Sequence, residues 1–287
     1  MIRLAVILVW LCGGALAEPS LRADGALRWQ LTAPWFGGWS GLEVRDQGTR
    51  MTVVSDRGHL LEAELLRTAQ GRIGAVSVQR ATRLGRSTGG RLRKKASDAE
   101  GLAIGRDGRA FVSFEHRHRI MEVDLATGRT SGRIALPFQN TLSDNAGIEA
   151  LAIRDDGTLF ALAEQPPQRG ASYALYAYAD RRWRVTARIP HRGPFVPVGA
   201  DFDSKGRLWL LERTATPLGF RSRIRLFAFA PQPREYTLLT TIPARFDNLE
   251  GISVWDDARG RTRITMISDD NFLVLQRTQL VEYLVRE

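Results

Sequence analysis

The feature that most constrains this chain is a unit that recurs along it. Gly41-Leu42-Glu43-Val44, Asp98-Ala99-Glu100-Gly101-Leu102-Ala103-Ile104, Ala146-Gly147-Ile148-Glu149-Ala150-Leu151-Ala152-Ile153 and Asn248-Leu249-Glu250-Gly251-Ile252-Ser253-Val254 share one plan. Each has a small or polar lead-in, a glutamate and a short apolar strand. A degenerate copy, Pro197-Val198-Gly199-Ala200-Asp201-Phe202-Asp203, falls where the fourth is due. With Val198 marking its register, the spacings are 57, 49, 49 and 52 residues. A period of this size marks a stacked or ring-shaped repeat architecture. In most copies a turn follows (Asp107-Gly108-Arg109, Asp156-Gly157-Thr158, Lys205-Gly206-Arg207), then a second strand closed by an acid: Asp56, Glu115, Glu164, Glu212 and Asp269.

Third and fourth strands follow in each unit, for example 172–178 with 183–189, and 223–230 with 236–242. Four antiparallel strands per unit make a propeller blade. The sequence therefore predicts an all-β chain folded as a β-propeller, with five blades, or six if 60–92 hides a short one. A β-sandwich is the competing architecture, whereas the lack of strand–helix alternation argues against a parallel α/β fold. The last unit has only three strands, so the amino-terminal Leu27-Arg28-Trp29-Gln30-Leu31 is expected to supply the fourth. Closure of this kind protects edge strands.

Residues 1–17 read as a secretory signal peptide: Met1-Ile2-Arg3, an apolar run to Cys12, then Ala15-Leu16-Ala17 as the cleavage site. The run is too short to span a bilayer. The expected mature chain is 18–287, one propeller domain, exported to the periplasm or medium and monomeric. Its single cysteine, Cys12, would leave with the leader, so a disulfide, a structural zinc site and thiol chemistry are all excluded. At 44% hydrophobic and 25% charged the chain can bury a core and is not disordered. The net charge of +10 favours anionic partners. Export and the lack of an aromatic-basic recognition module argue against nucleic acid.

In a blade, the start of the first strand and the end of the second share one face. On that geometry Glu43 pairs with Asp56, Glu100 with Glu115, Glu149 with Glu164, Asp201 with Glu212, and Glu250 with Asp269, all at one mouth of the channel. Carboxylates crowded this way repel unless compensated. Hard cations are one compensation; with oxygen ligands in an exported protein, Ca²⁺ is the natural choice. Arginines are the other: Arg57, Arg117 and Arg213 each lie just beyond a second-strand acid, and His116 sits beside Glu115. The expected catalytic carboxylates are Glu100, Glu149 and Glu250. The expected metal ligands are Glu43, Asp56, Glu115, Glu164, Asp201, Glu212 and Asp269. Arg57, His116, Arg117, Arg213 and Asn271 are expected to meet a small anionic substrate. For any one acid the alternative is structural: it accepts backbone N–H bonds and holds adjacent blades in register.

Other chemistries fit poorly. Gly38-Trp39-Ser40-Gly41 fails the spacing of a nucleophile elbow, and no phosphate loop or dinucleotide fingerprint is present. His59, His116, His118 and His191 are scattered along the chain, which argues against a two-histidine metal site.

Asp98-Ala99-Glu100-Gly101-Leu102-Ala103, Gly147-Ile148-Glu149-Ala150-Leu151, Leu208-Trp209-Leu210-Leu211-Glu212-Arg213, Asn248-Leu249-Glu250-Gly251-Ile252 and Ile267-Ser268-Asp269-Asp270-Asn271-Phe272 resemble, in order, the phytase-like family of secreted bacterial proteins. The resemblance runs from about Gly41 to the end. It implies a β-propeller and points to calcium and phosphate-ester hydrolysis, but carries over no defined catalytic set. Two functions stay open: a metal-dependent phosphoesterase, or a lactonase or carboxylic esterase variant of it, and a non-catalytic propeller binding an anionic ligand, a glycan or a protein on the same face.

Overall fold

The structure, a computed structural model, describes residues 18–92, 94–139, 142–143, 147–164 and 172–287. The leader read over 1–17 lies outside them. Among the described residues, twenty-one strands form five sheets, antiparallel but for one short added strand. The first blade is β2 (Trp39–Arg45), β3 (Arg50–Ser55), β4 (His59–Arg67) and β5 (Ile73–Arg83). The second is β7 (Ala99–Ile104), β8 (Ala110–Phe114), β9 (Arg119–Val123) and β10 (Arg129–Ile134), extended by the short parallel strand β6 (Gly85–Arg86). The third is β11 (Ala150–Ile153), β12 (Leu159–Leu162), β13 (Tyr173–Ala179) and β14 (Arg182–Ile189). The fourth is β15 (Val196–Phe202), β16 (Leu208–Thr216), β17 (Gly219–Ala228) and β18 (Arg234–Thr240).

The fifth blade joins β19 (Asn248–Asp256), β20 (Thr262–Asp269) and β21 (Gln279–Arg286) to β1 (Ser20–Arg28) from the amino terminus. Ring closure by strand exchange is therefore as expected, but the closing strand lies earlier than Leu27–Leu31. Its register runs from Ser20 opposite Arg286 to Arg28 opposite Gln279. The apolar end of that run goes elsewhere because Trp29 is buried and stacks on Trp39, ring centroids 5.7 Å apart. Burying an indole at the junction of the last and first blades outweighs extending an edge strand.

The strands grade from wholly buried to half-exposed. Almost every residue of β2 is buried, while β14 shows mostly exposed positions. The five first strands pack side by side around the channel, β2 against β7 and β19, and β11 against β7 and β15. Each hydrophobic core cluster joins two adjacent blades. Trp209, Leu211 and Ile224 of the fourth pack with Leu249, Ile252 and Ile264 of the fifth, and Ala103 and Phe111 of the second pack with Leu151 and Leu159 of the third. The stretch 60–92 holds β4, β5 and β6, which belong to the first two blades, so the described residues form five blades.

Candidate functional site at the upper mouth

In four of the five blades the pairing slips where the first strand enters the channel. Trp39 pairs with Ser55 and Gly41 with Val54; Ala99 pairs with Phe114 and Leu102 with Val112; Pro197 pairs with Glu212 and Gly199 with Leu211; Leu249 pairs with Ser268 and Gly251 with Ile267. The supernumerary positions are Ser40, Glu100, Val198 and Glu250, with Glu149 just before β11 in the third blade. A bulge re-aims its side chain and bends its strand. The glycine after it is required by the ring itself. A Cβ on Gly199 would stand 2.4 Å from the carbonyl oxygen of Glu250, and one on Gly101 would stand 2.8 Å from that of Glu149. The Glu-Gly pair thus combines an inward carboxylate with the close approach of two blades.

The second strands end beside these bulges. Asp56 N–H donates to Gly38 O at 2.9 Å, Glu115 N–H to Asp98 O at 3.0 Å and Glu164 N–H to Gly147 O at 3.1 Å; Asp269 lies opposite Asn248 and Arg213 opposite Val196. The position is therefore acidic in four blades and cationic in the fourth. Arg213 Nη1 lies 2.5 Å from Glu250 Oε1 and 2.7 Å from Asn248 Oδ1, and Nη2 lies 3.5 Å from Glu164 and 3.9 Å from Glu149. Asn248 Nδ2 also donates to Glu250 Oε1 at 2.7 Å. Asp98, quoted in the repeat but not singled out as a site residue, joins the cluster: its Oδ2 is 3.0 Å from His116 Nε2, with Glu115 Oε2 at 3.7 Å from the same nitrogen. The oxygen and nitrogen donors of Asp98, Glu115 and His116 lie within 4.8 Å of one another.

Three expected ligands are elsewhere. Glu43 and Asp201 sit three residues beyond the bulge position, at the lower end of the channel. Glu43 Oε1 accepts Ile104 N–H at 3.0 Å, and Asp201 accepts Val254 N–H at 2.6 Å and Phe202 N–H at 2.7 Å. Ile104 and Val254 belong to the next blade in each case, so both acids are blade-to-blade ties. The register was readable from Gly41-Leu42, which matches Gly101-Leu102 and Gly251-Ile252 and puts Ser40, not Glu43, in the glutamate's place. Glu212 is one residue short of the mouth and fully buried, bonded to Arg223 at 2.5 Å and Arg225 at 2.9 Å.

The expected substrate contacts also divide. Arg57 lies over the Phe272 ring, 3.2 Å from its centroid, and its charge acts on Asp56. His116 reaches the acids, and Arg213 is among them. Arg117 instead lines a cavity on the second blade. Asn271 is exposed, donates its side chain to Gln276 at 2.7 Å and offers its backbone N–H to Asp269 at 2.7 Å.

Burial sets the electrostatics of the mouth. It pushes Asp56 up to about 7, aided by Asp98 and Glu250, and Asp269 up to about 8, aided by Glu250. Burial and then Glu149 and Glu250 hold Glu100 well above the usual carboxylate range. Glu149 is raised by burial against the pull of Arg213, and burial also raises Glu164 and Asp98. Arg213 among the acids and Arg57 beside Asp56 cannot neutralise so many carboxylates. Glu149 Oε2 and Asp56 Oδ1 are buried without a hydrogen-bond partner. Unmet buried acceptors among oxygen-rich neighbours are what a hard divalent cation satisfies.

A family model described as "Phytase-like: Esterase-like activity of phytase" matches residues 34–272. The PQQ-bound aldose sugar dehydrogenase of Streptomyces coelicolor is 11% identical, covering 94% of this chain and 99% of that one, with a TM-score of 0.54. A luciferin-regenerating enzyme is 13% identical over 94% and 96% of the two chains, at a TM-score of 0.48. A gluconolactonase of Xanthomonas campestris is 17% identical over 85% and 72%, at 0.44. At such identity the first likeness shows the fold. No curated protein sequence matches the chain significantly.

Proposed function

The chain belongs to the phytase-like family, and from that premise we propose that its upper mouth is the active site of a Ca²⁺-dependent hydrolase of small anionic esters. The observation that carries this reading is two unpartnered buried oxygens, Glu149 Oε2 and Asp56 Oδ1, in a carboxylate ring where Arg213 is the guanidinium set among the acids and Arg57 acts on Asp56. Glu100, Glu149, Asp56 and Asp269, which act electrostatically on one another or on Glu250, would move together to hold the cation, whereas among the described residues Asp98, Glu115 and His116 already stand within 4.8 Å of one another. When bound, it supplies Lewis-acid polarisation of the ester's phosphoryl or carbonyl oxygen.

The chain's own residues do the rest. Arg213 and Asn248 fix Glu250 from two sides, so its remaining oxygen is aimed rather than free to swing. An aimed carboxylate can orient a water and take its proton. Arg57, steadied over Phe272, presents a guanidinium at the rim for the substrate's charged end. His116, braced by Asp98 and Glu115, stands on the side facing the second blade. The same proposal makes the protein an exported, periplasmic one, on the reading of residues 1–17.

The test is a panel of p-nitrophenyl phosphate, phytate, p-nitrophenyl acetate and simple lactones, with calcium and with chelator. Calcium-dependent turnover of at least one class, lost in Glu100→Gln, Glu149→Gln and Glu250→Gln, is the expected result. Full activity in all three variants would remove the site assignment. Silence across the panel, with calcium still bound, would leave a non-catalytic propeller that binds an anionic ligand, a glycan or a protein on this face.

A further inference from the structure

The outer part of the second blade carries a cavity of about 640 Å³ that the mouth does not use. Arg86 on the added strand β6, Arg117 before β9, Arg119 on β9 and Arg133 on β10 all line it, with Thr130 and one side of His116. No carboxylate among the described residues lines it or forms an ion pair with these four guanidinium groups. Like charges gathered this closely repel, and each gains by the arrival of an anion.

Arg119 makes the case sharpest. It is only 7% exposed, and its hydrogen-bond partners are neutral: Arg117 O at 2.8 Å, Ala96 O at 2.6 Å and the Met121 sulfur at 3.4 Å. Its guanidinium lies 4.0 Å from the centroid of Phe114. Burial, reinforced by Arg133 and Arg117, pushes it down to about 10. Other buried arginines here are treated differently: Arg225 has Glu212 and Glu235, and Arg263 has Asp24 and Asp257. A buried charge without a counter-charge is costly, and at Arg119 the described chain supplies none.

We propose that this cavity binds a phosphate-class oxyanion carrying at least two negative charges. Guanidinium forks match the oxygens of a phosphate two at a time. A monocarboxylate would bring one charge to four, whereas a diphosphate or a sugar phosphate compensates more of them and fills more of the space. The site is independent of whether the mouth hydrolyses anything. Its position still matters, because His116 lines the cavity while bonding to Asp98 at the mouth. An anion held here would sit one side chain from the carboxylate ring.

The experiment is isothermal titration calorimetry on the whole protein in chelator at constant ionic strength, with inorganic pyrophosphate, glucose 6-phosphate and acetate as separate probes. Pyrophosphate or the sugar phosphate should bind and acetate should not; which of the two binds tighter distinguishes inorganic from organic ligands. The double variant Arg117→Gln/Arg133→Gln alters two exposed side chains, so its melting temperature should hold while affinity falls at least about tenfold. Glu149→Gln should leave the affinity unchanged. The proposal fails if neither phosphate binds, if the double variant binds like the wild type, if acetate binds equally well, or if Glu149→Gln abolishes binding.

Discussion

At the lower end of the channel Glu43 and Asp201 are as deeply buried as Glu149 and Glu250 are at the upper mouth, and burial lifts Glu43, Asp201 and Glu149 alike. The difference lies in who answers their oxygens. Glu43 and Asp201 are met by backbone N–H groups, from Ile104 for one and from Phe202 and Val254 for the other. At the mouth, one arginine serves Glu149, Glu164 and Glu250 together, and Glu149 Oε2 and Asp56 Oδ1 receive nothing. The same residue type in the same repeat is thus a blade tie at one end and a candidate ligand at the other. What separates them is a shift of three residues along a strand.

The largest effect expected from breaking this contrast lies with an acid whose partners are wholly internal. Glu212 and Arg225 are both fully buried, and removing one partner of such a pair typically costs about 3–5 kcal/mol. Glu212→Ala should therefore unfold at markedly lower denaturant, while any calcium-induced gain in stability survives. A Glu212→Ala protein that folds normally but no longer responds to calcium would return Glu212 to the ligands. Next comes Asp201→Ala, which strands the N–H groups of Val254 and Phe202 at a cost of about 1–3 kcal/mol. Its calcium response should again be intact, as measured by thermal melts with and without the ion.

A mouth residue should show the reverse pattern. Calcium at about 100 times its Kd stabilises a binding site by ~2.7 kcal/mol, which for a chain of this size is a rise of roughly 5–10 °C in Tm. Glu149→Gln should lose most of that rise while being as stable as wild type in chelator, since it removes a crowded charge. Loss of stability in chelator with the calcium response intact would make Glu149 a structural tie like Asp201.

How much of this was legible beforehand follows from what each residue depends on. The repeat exposed the five blades because every first strand must be apolar and every tight turn needs its Asp-Gly or Lys-Gly. Gly108, Gly157 and Gly206 all take positive φ. Glu100, Glu149 and Glu250 were found because the glycine or alanine after each marks where blades touch. Glu43 was misplaced because a glutamate was matched to a glutamate, although Gly41-Leu42 is what sets the register. Glu212 was misplaced by one residue, since an acid was expected where Arg213 stands. Residue type is plain in a sequence, whereas the pairing offset that a bulge introduces shows only through the small residue after it, as at Gly41. The arginine-lined cavity was invisible for a different reason: Arg86, Arg117, Arg119 and Arg133 come together only once β6 pairs with β10.

The effect that separates the two ends within a single experiment is the dependence of stability on pH. Asp56 and Asp201 stand at about 7 and Asp269 at about 8 in the folded chain, against about 3.9 for an unfolded aspartate. Between those values the folded form holds protons that the unfolded form has released. Stability without calcium must then fall as pH rises from about 4 toward 8, by at most ~1.4 kcal/mol per pH unit for each proton and less at half-buried Asp56. On the proposed function, calcium would compete for Asp56 and Asp269 and remove their part of the slope. Asp201, bonded to the backbone at the far end, keeps its proton either way, and a residual slope should survive saturation with the ion. Asp201→Asn should flatten that residue of the slope without changing the part that calcium removes. Chemical denaturation at a series of pH values, with chelator and with calcium, measures both parts. A slope that calcium leaves whole would mean that the mouth does not bind it, and one that calcium abolishes entirely would join the two ends into one site.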